Sequence, residues 1–228
     1  MWQNIIDAIF PIECLGCGQE GKWICGDCQR QIPINLTNRC LACKQKTKGG
    51  EFCRECRSKH SLDGVLIASD YTNELVAKAI KTLKYRLVSD IGRELGQLLI
   101  LFLERQPKQG QTGDTLLIPV PLHPRRRRWR GFNQAEILAR PVAEHFNFPI
   151  DVSNLGRIRS TRDQASLGEA DRKLNVAHSF GWQGERLVGR DIILVDDVVT
   201  TGATLEACAR VLKQAGAREV WGLVVAKG

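Results

Sequence analysis

Four pairs of cysteines, each separated by two residues, stand between positions 14 and 56: Cys14/Cys17, Cys25/Cys28, Cys40/Cys43 and Cys53/Cys56. No other feature of this 228-residue chain restricts its folding so sharply. A two-residue spacing turns both sulfurs toward one point, and four thiolates fill the tetrahedral shell of a Zn²⁺ ion. The eight thiols therefore predict two closed, structural zinc sites, with no position left for water. A disulfide framework is the rival reading, but it suits secreted domains. The opening MWQNIIDAIFPIEC has neither the basic leader nor the small-residue cleavage site of a secretion signal. Short, hairpin-sized gaps within each group favour sequential sites, Cys14, Cys17, Cys25 and Cys28 on one ion and Cys40, Cys43, Cys53 and Cys56 on the other, over a cross-braced arrangement. A segment this small has too little apolar surface to hold itself together, so metal supplies its folding energy.

The rest of the composition is that of an ordinary soluble globular chain, with 43% hydrophobic and 25% charged residues. No run approaches the roughly 18 apolar residues of a membrane-spanning helix, which places the protein in the cytoplasm or peripherally at the inner face of the membrane. Trp2, Ile5, Ile6, Ile9 and Phe10 share one helical face, which docking on the protein's own body would bury; membrane contact is the alternative. The net charge of +8 favours polyanions, nucleic acid above all, and also small phosphorylated ligands. Between Cys14 and His60, nine Lys/Arg stand against four Asp/Glu, a surface that suits nucleic acid and plain solvation equally. GCGQEG, residues 16–21, matches the GxGxxG dinucleotide string. It follows no strand, opens no helix and contains a zinc-knuckle cysteine, which excludes that reading.

From about Ser61 the texture changes, so residues 1–60 are expected to form an N-terminal helix with the double zinc module and 61–228 a second domain. Gly64 to Ser69, Leu116 to Val120, Ile192 to Val195 and Val220 to Val225 read as strands. Leu75, Val76, Ala79, Ile80 and Leu83 make a helical stripe, as do Ile91, Leu95, Leu98, Leu99 and Phe102. QPKQGQTGD, residues 106–114, is loop by composition. Asn133 with Glu136 carries the capping-box signature of a helix running toward Phe146, and Pro141 inside it predicts a kink or a shortened helix. A further helix is expected from about Thr204 to Gln214, with Cys208 on its apolar face as a core residue rather than a nucleophile. Alternating strands and helices predict an α/β domain with a mostly parallel sheet flanked by helices.

Asp196 and Asp197 follow the most apolar strand directly. Adjacent carboxylates near a core repel and desolvate, so the pair asks for a partner that the local sequence does not supply. In open α/β sheets ligands bind beyond the carboxyl ends of strands, and here the next loop leads into a helix N-terminus, which attracts an anion. Gly202 permits close approach while Thr200, Thr201 and Thr204 offer hydroxyls; Ala203 lies among them. A phosphate beside vicinal hydroxyls, as in a ribose 5-phosphate, has the matching shape. An acidic turn that merely caps the helix is the bland alternative.

ILVDDVVTTGAT resembles the phosphoribosyl-pyrophosphate (PRPP) motif of type I phosphoribosyltransferases. IPVPLHPRRRRWRGFNQAEILA, residues 118–139, and RIRSTRDQASLGEADRKLNVAHSF, residues 157–180, resemble two further signatures of the ComF family, competence-associated phosphoribosyltransferase-like proteins that begin with a double zinc ribbon. The resemblance spans nearly the whole chain. It implies a type I phosphoribosyltransferase-like sheet behind the zinc module, with Asp196 and Asp197 on the ribose 2- and 3-hydroxyls and Thr200, Thr201, Gly202, Ala203 and Thr204 around the 5-phosphate. It also implies PRPP taken with Mg²⁺, single-stranded DNA handled during natural transformation, and a ComF-type helicase or other competence protein as partner. Catalysis would fall to Asp196, Asp197, Arg130 and Arg162.

The chemistry of the other two signatures agrees. Arg125 to Arg128 and Arg130 put five guanidiniums within six residues, suited to diphosphate or to a DNA backbone. Arg130, Gly131 and Asn133 lie nearest a helix N-terminus, where a diphosphate would rest. Residues 157–172 are polar and charged, as a loop closing over a reactive ligand should be, with Arg157, Arg159, Arg162 and Gln164 as candidates. Two rivals stand: a nucleotide-salvage or synthesis phosphoribosyltransferase with an unusual zinc module, and a non-catalytic zinc-ribbon adaptor that grips DNA. The missing acceptor signature argues against the first and the intact acidic pair against the second.

Overall fold

Uninterrupted apolar runs form strands buried on both faces, and four of them build the central sheet of the computed structural model, which describes residues 11–35, 39–85, 88–106, 114–157 and 179–228. The strands are β1 (Gly64–Asp70), β2 (Thr115–Pro119), β5 (Asp191–Val199) and β6 (Glu219–Lys227), all parallel, in the order β1-β6-β5-β2. Two short strands, β3 (Leu155–Arg157) and β4 (Phe180–Trp182), pair antiparallel outside this sheet. Ile150 adds a single parallel bridge to Leu117 on the free side of β2.

The strand alternation sorts the core into two clusters, one on each face of the sheet. Leu66, Ile193, Val195, Leu223 and Val225 pack with α3 (Glu74–Tyr85), α4 (Ile91–Glu104) and α6 (Gln134–Phe146). Val65, Ile192, Leu194, Val220 and Val224 pack with α7 (Ala203–Gln214), where Leu205, Cys208 and Leu212 are buried as the helical stripe requires. The cysteine segment is split the same way. Cys14, Ile24 and Ile32, around α1 (Gly26–Gln31), join the first cluster, while Cys40, Phe52 and Leu62, flanking α2 (Arg54–Arg57), join the second. Each four-cysteine group thus roots on its own face of the sheet. None of the described helices is long and apolar enough to cross a membrane.

Three local expectations are revised. β5 does not end before the aspartates: it runs through them to Val199, because β6 keeps pairing (Val199 opposite Lys227) after β2 leaves at Pro119. Pro141 does not shorten α6, which spans 13 residues. Its ring lies against Gly96 of α4, where a methyl group would come within 2.3 Å of Pro141 Cγ, so helix-to-helix packing compensates the missing N–H. The capping box is only half made: Asn133 Oδ1 accepts from Ala135 N at 3.2 Å, whereas Glu136 pairs with Arg140 at the next turn. The N-terminal face of Trp2 to Phe10 and most of the 106–114 loop lie outside the described residues.

Candidate functional site

The chain leaves β2 outward toward Ile150 but leaves β5 in the opposite direction, toward β6, so connections reverse between β2 and β5. A crevice opens at such a switch point, beyond the carboxyl ends of the strands. Asp196 and Asp197 occupy it from β5. The loop from Val120 to Asn133 occupies it from β2, its two ends tied by Asn133 Nδ2 donating to the Val120 carbonyl at 3.1 Å.

The pair has the partner that its neighbours in sequence do not provide. Lys84, in the last turn of α3, sets its Nζ 2.6 Å from Asp197 Oδ2, and both groups are largely buried, the carboxylate side chain being 5% exposed. Burial pushes the Asp196 carboxyl up to about 7, with Lys84 and then Arg130 opposing that rise. Burial also lowers the Lys84 ammonium, an effect partly offset by Asp196. Each aspartate accepts a backbone N–H of the strand, Asp196 from Asp197 N at 2.8 Å and Asp197 from Val198 N at 2.9 Å. Neither caps α7, so the acidic-turn alternative falls. Lys84 continues the stripe of Val76 and Ile80 at four-residue steps, and an ionisable residue on an otherwise apolar face was the signal that could have found it.

The arginines divide. Residues 124–130 coil into a short helix, α5 (Pro124–Arg130), that leaves Arg125 to Arg128 exposed and turns Arg130 inward, 7% exposed. Arg130 Nη1 donates to Gln134 Oε1 at 2.8 Å, and its guanidinium lies 5.8 Å from the centre of the Tyr85 ring. Its Nε has no hydrogen-bond partner among the described residues. Gly131 ends α5 in the left-handed region (φ +78°), the turn that sends the chain back into Asn133 and α6. Arg130 is thus within electrostatic reach of Asp196, Gly131 and Asn133 turn the chain and tie its loop, and Arg125 to Arg128 are exposed, Arg126 still acting on Lys84 and Arg130.

Beyond β5, Gly202 (φ +80°) opens α7 without a side-chain cap. Thr200 and Thr201 are exposed, Ala203 and Thr204 half-buried, and Ala203 N donates to Thr201 Oγ1 at 3.4 Å. Arg157 is not in a loop: it belongs to β3, its guanidinium 5.2 Å from the Phe180 ring centre. Arg159, Arg162 and Gln164 lie outside the described residues. Cys208 is fully buried and burial pushes its thiol far up, as befits a core side chain.

The eight remaining cysteines gather in two sequential groups, Cys14, Cys17, Cys25 and Cys28, and Cys40, Cys43, Cys53 and Cys56, each with all sulfurs within 4.8 Å of one another. Cys17 and Cys25 sulfurs are 3.6 Å apart and those of Cys43 and Cys53 3.5 Å, near the edge of about 3.8 Å set by a tetrahedron with 2.3 Å metal–sulfur bonds. Burial raises the Cys14 thiol, but backbone N–H groups of Cys25, Cys17 and Gly16 outweigh it and bring it to about 6, while Cys25 and burial push Cys28 up to about 12. Four adjacent thiols resist common ionisation until a cation neutralises them. Both groups fit Zn²⁺.

Parallel sheet, acidic crevice and cysteine ribbons together define a phosphoribosyltransferase-like domain behind a double zinc ribbon. Residues 132–227 match the phosphoribosyl transferase domain and residues 5–57 the double zinc ribbon domain. The chain is 32% identical over 209 residues to the DNA utilization protein YhgH of Escherichia coli K12, covering 89% of this chain and 91% of that one. It is 28% identical to Competence protein F of Haemophilus influenzae, over 87% and 95% of the two chains, and 26% identical to Competence protein ComFC of Bacillus subtilis, over 85% and 79%. It belongs to this ComF/YhgH family.

Proposed function

We propose that this chain binds PRPP, or a related ribose 5-phosphate ligand, with Mg²⁺ in the β2/β5 crevice, and that it works on single-stranded DNA in natural transformation, a role in keeping with relatives named for competence and for DNA utilization. The observation that carries the reading is the acidic pair held at the switch point between a buried arginine and a glycine-opened helix N-terminus. Asp196 and Asp197 hold the ribose hydroxyls, Thr200 to Thr204 the 5-phosphate, and Arg130 with Gly131 and Asn133 the diphosphate. Arg162 is the further candidate from the loop signature. Mg²⁺, when bound, neutralises diphosphate charge, for which the two carboxylates offer hard oxygen donors.

If transfer occurs, the bond between the anomeric carbon and the diphosphate oxygen breaks as an acceptor bonds to that carbon. The electron pair leaves with the diphosphate, which Arg130 stabilises, while the carboxylates orient the sugar and favour its developing positive charge. The proposal divides the chain into a zinc module, 1–60, and the phosphoribosyltransferase-like domain, 61–228. Calorimetric titration with PRPP and Mg²⁺ tests the ligand: saturable binding lost in Asp197→Ala supports it, and no heat or an unaffected variant overturns it. Pyrophosphate release on adding candidate bases or oligonucleotides then tests transfer.

A specific feature favours the DNA part of the reading. Trp129, 58% exposed, stands in the arginine run itself and Tyr85, 65% exposed, lies beside Arg130, combining stacking faces with phosphate-binding charge. An oligothymidine should bind weakly, with affinity falling steeply as salt rises, and charge reversal at Arg125 to Arg128 should weaken it more than Asp196→Asn does.

A further inference from the structure

The second cysteine group does not merely decorate the sheet; it reaches the loop that follows β5. Leu41, inside the Cys40–Cys43 knuckle, packs against Gly202 so closely that a methyl group there would stand 2.7 Å from Leu41 Cδ2. A second tie lies one turn along α7. Glu206 accepts the Ser61 N–H at 2.7 Å and the Leu62 N–H at 3.3 Å, with His60 Nδ1 3.4 Å away. Between the two ties lies a cleft of about 310 Å³ lined by Leu41, Phe52, His60, Gly202, Glu206 and Arg210, so Leu41 is the ribbon side chain set against the bare Cα of the loop's glycine.

We infer that Leu41 is a positioning residue for the 200–204 loop: the metal-folded knuckle presses it onto Gly202 and holds the loop in the conformation that receives a phosphate. Gly202 needs both its left-handed backbone and its bare Cα for this contact, and a knuckle fixed by its cysteines can hold such a loop without touching the ligand. The inference rests on the reading of 200–204 as the phosphate loop, and it adds that the zinc module governs that loop's shape.

Leu41→Ala, with every cysteine retained, separates the two ideas, and Leu41→Met serves as the conservative control. Hydrogen exchange of the ligand-free proteins should show the amides of 200–206 exchanging about tenfold faster in Leu41→Ala, with zinc content unchanged and Leu41→Met close to wild type. Calorimetry should show ribose 5-phosphate bound at least about fivefold more weakly by Leu41→Ala, while Mg²⁺-pyrophosphate, which needs only the Arg130 side, binds as before. Unchanged exchange in the loop overturns the inference, as does equal loss of both ligands. If wild type binds neither ligand the proposed function falls, and the exchange experiment still decides the role of Leu41.

Discussion

Asp196 and Asp197 differ in what surrounds them, and the difference sets opposite outcomes for similar substitutions. Asp196 is half-buried with a carboxyl pushed from 3.8 up to about 7, so the folded state holds a proton that the unfolded chain releases between those values. Stability therefore falls as pH rises from about 4 to about 7 and levels off above, because the folded state binds more protons across that window. Asp196→Asn should flatten this slope in thermal unfolding and, at pH 7.5 without ligand, melt at or above wild type. Asp197→Asn should be destabilised by about 1–3 kcal/mol in denaturant titration, since it leaves the Lys84 ammonium without its carboxylate in a largely buried place. Both variants should bind PRPP more weakly. A destabilised Asp196→Asn would mean that its charge supports the fold. The acidic pair was legible in the sequence, but the counter-cation lay more than a hundred residues away, and only α3 packing on the sheet brings it there.

At the scale of elements, the Pro141 helix teaches why a residue rule can mislead. A proline in mid-helix removes one backbone hydrogen bond, but α4 offers Gly92 and Gly96 as a notch that receives Ile137 and Pro141 from α6. Intrinsic propensity favours alanine over glycine in a helix by about 1 kcal/mol, yet at Gly96 the new methyl would meet Pro141 at 2.3 Å. Gly96→Ala should therefore destabilise by about 1–3 kcal/mol, as overpacked cores do. Adding Pro141→Ala should recover most of the loss, read as a favourable coupling in a double-mutant cycle. Additive effects would show that the two helices do not meet as described. The short β3, β4 and α5 carry too little pattern to announce themselves, whereas the four strands of the central sheet, β1, β2, β5 and β6, and the helices α3, α4, α6 and α7 were readable from apolar runs and stripes. The length of β5 was not, since pairing with β6 rather than local composition extends it.

Across the whole molecule, the two cysteine groups bind the chain's opening segment to opposite faces of one sheet. Elemental analysis should find close to two zinc ions per chain, one for each group of four sulfurs. Strong chelation should unfold the ribbons before the sheet, seen as loss of protection around Cys14 to Cys56 with the β5 and β6 amides still protected. Sheet amides lost in step with the ribbons would make the molecule one cooperative unit. Cysteine spacing, apolar strands and the acid-glycine-threonine string by themselves determined the zinc sites, the α/β class and the location of the crevice, because each is a local pattern with one stable geometry. The tertiary structure alone decided that Lys84 neutralises Asp197, that Arg130 turns inward while its four neighbours face solvent, and that Leu41 rests on Gly202. Those contacts join residues far apart in sequence, and only the packing of helices and ribbons against a common sheet brings them within reach.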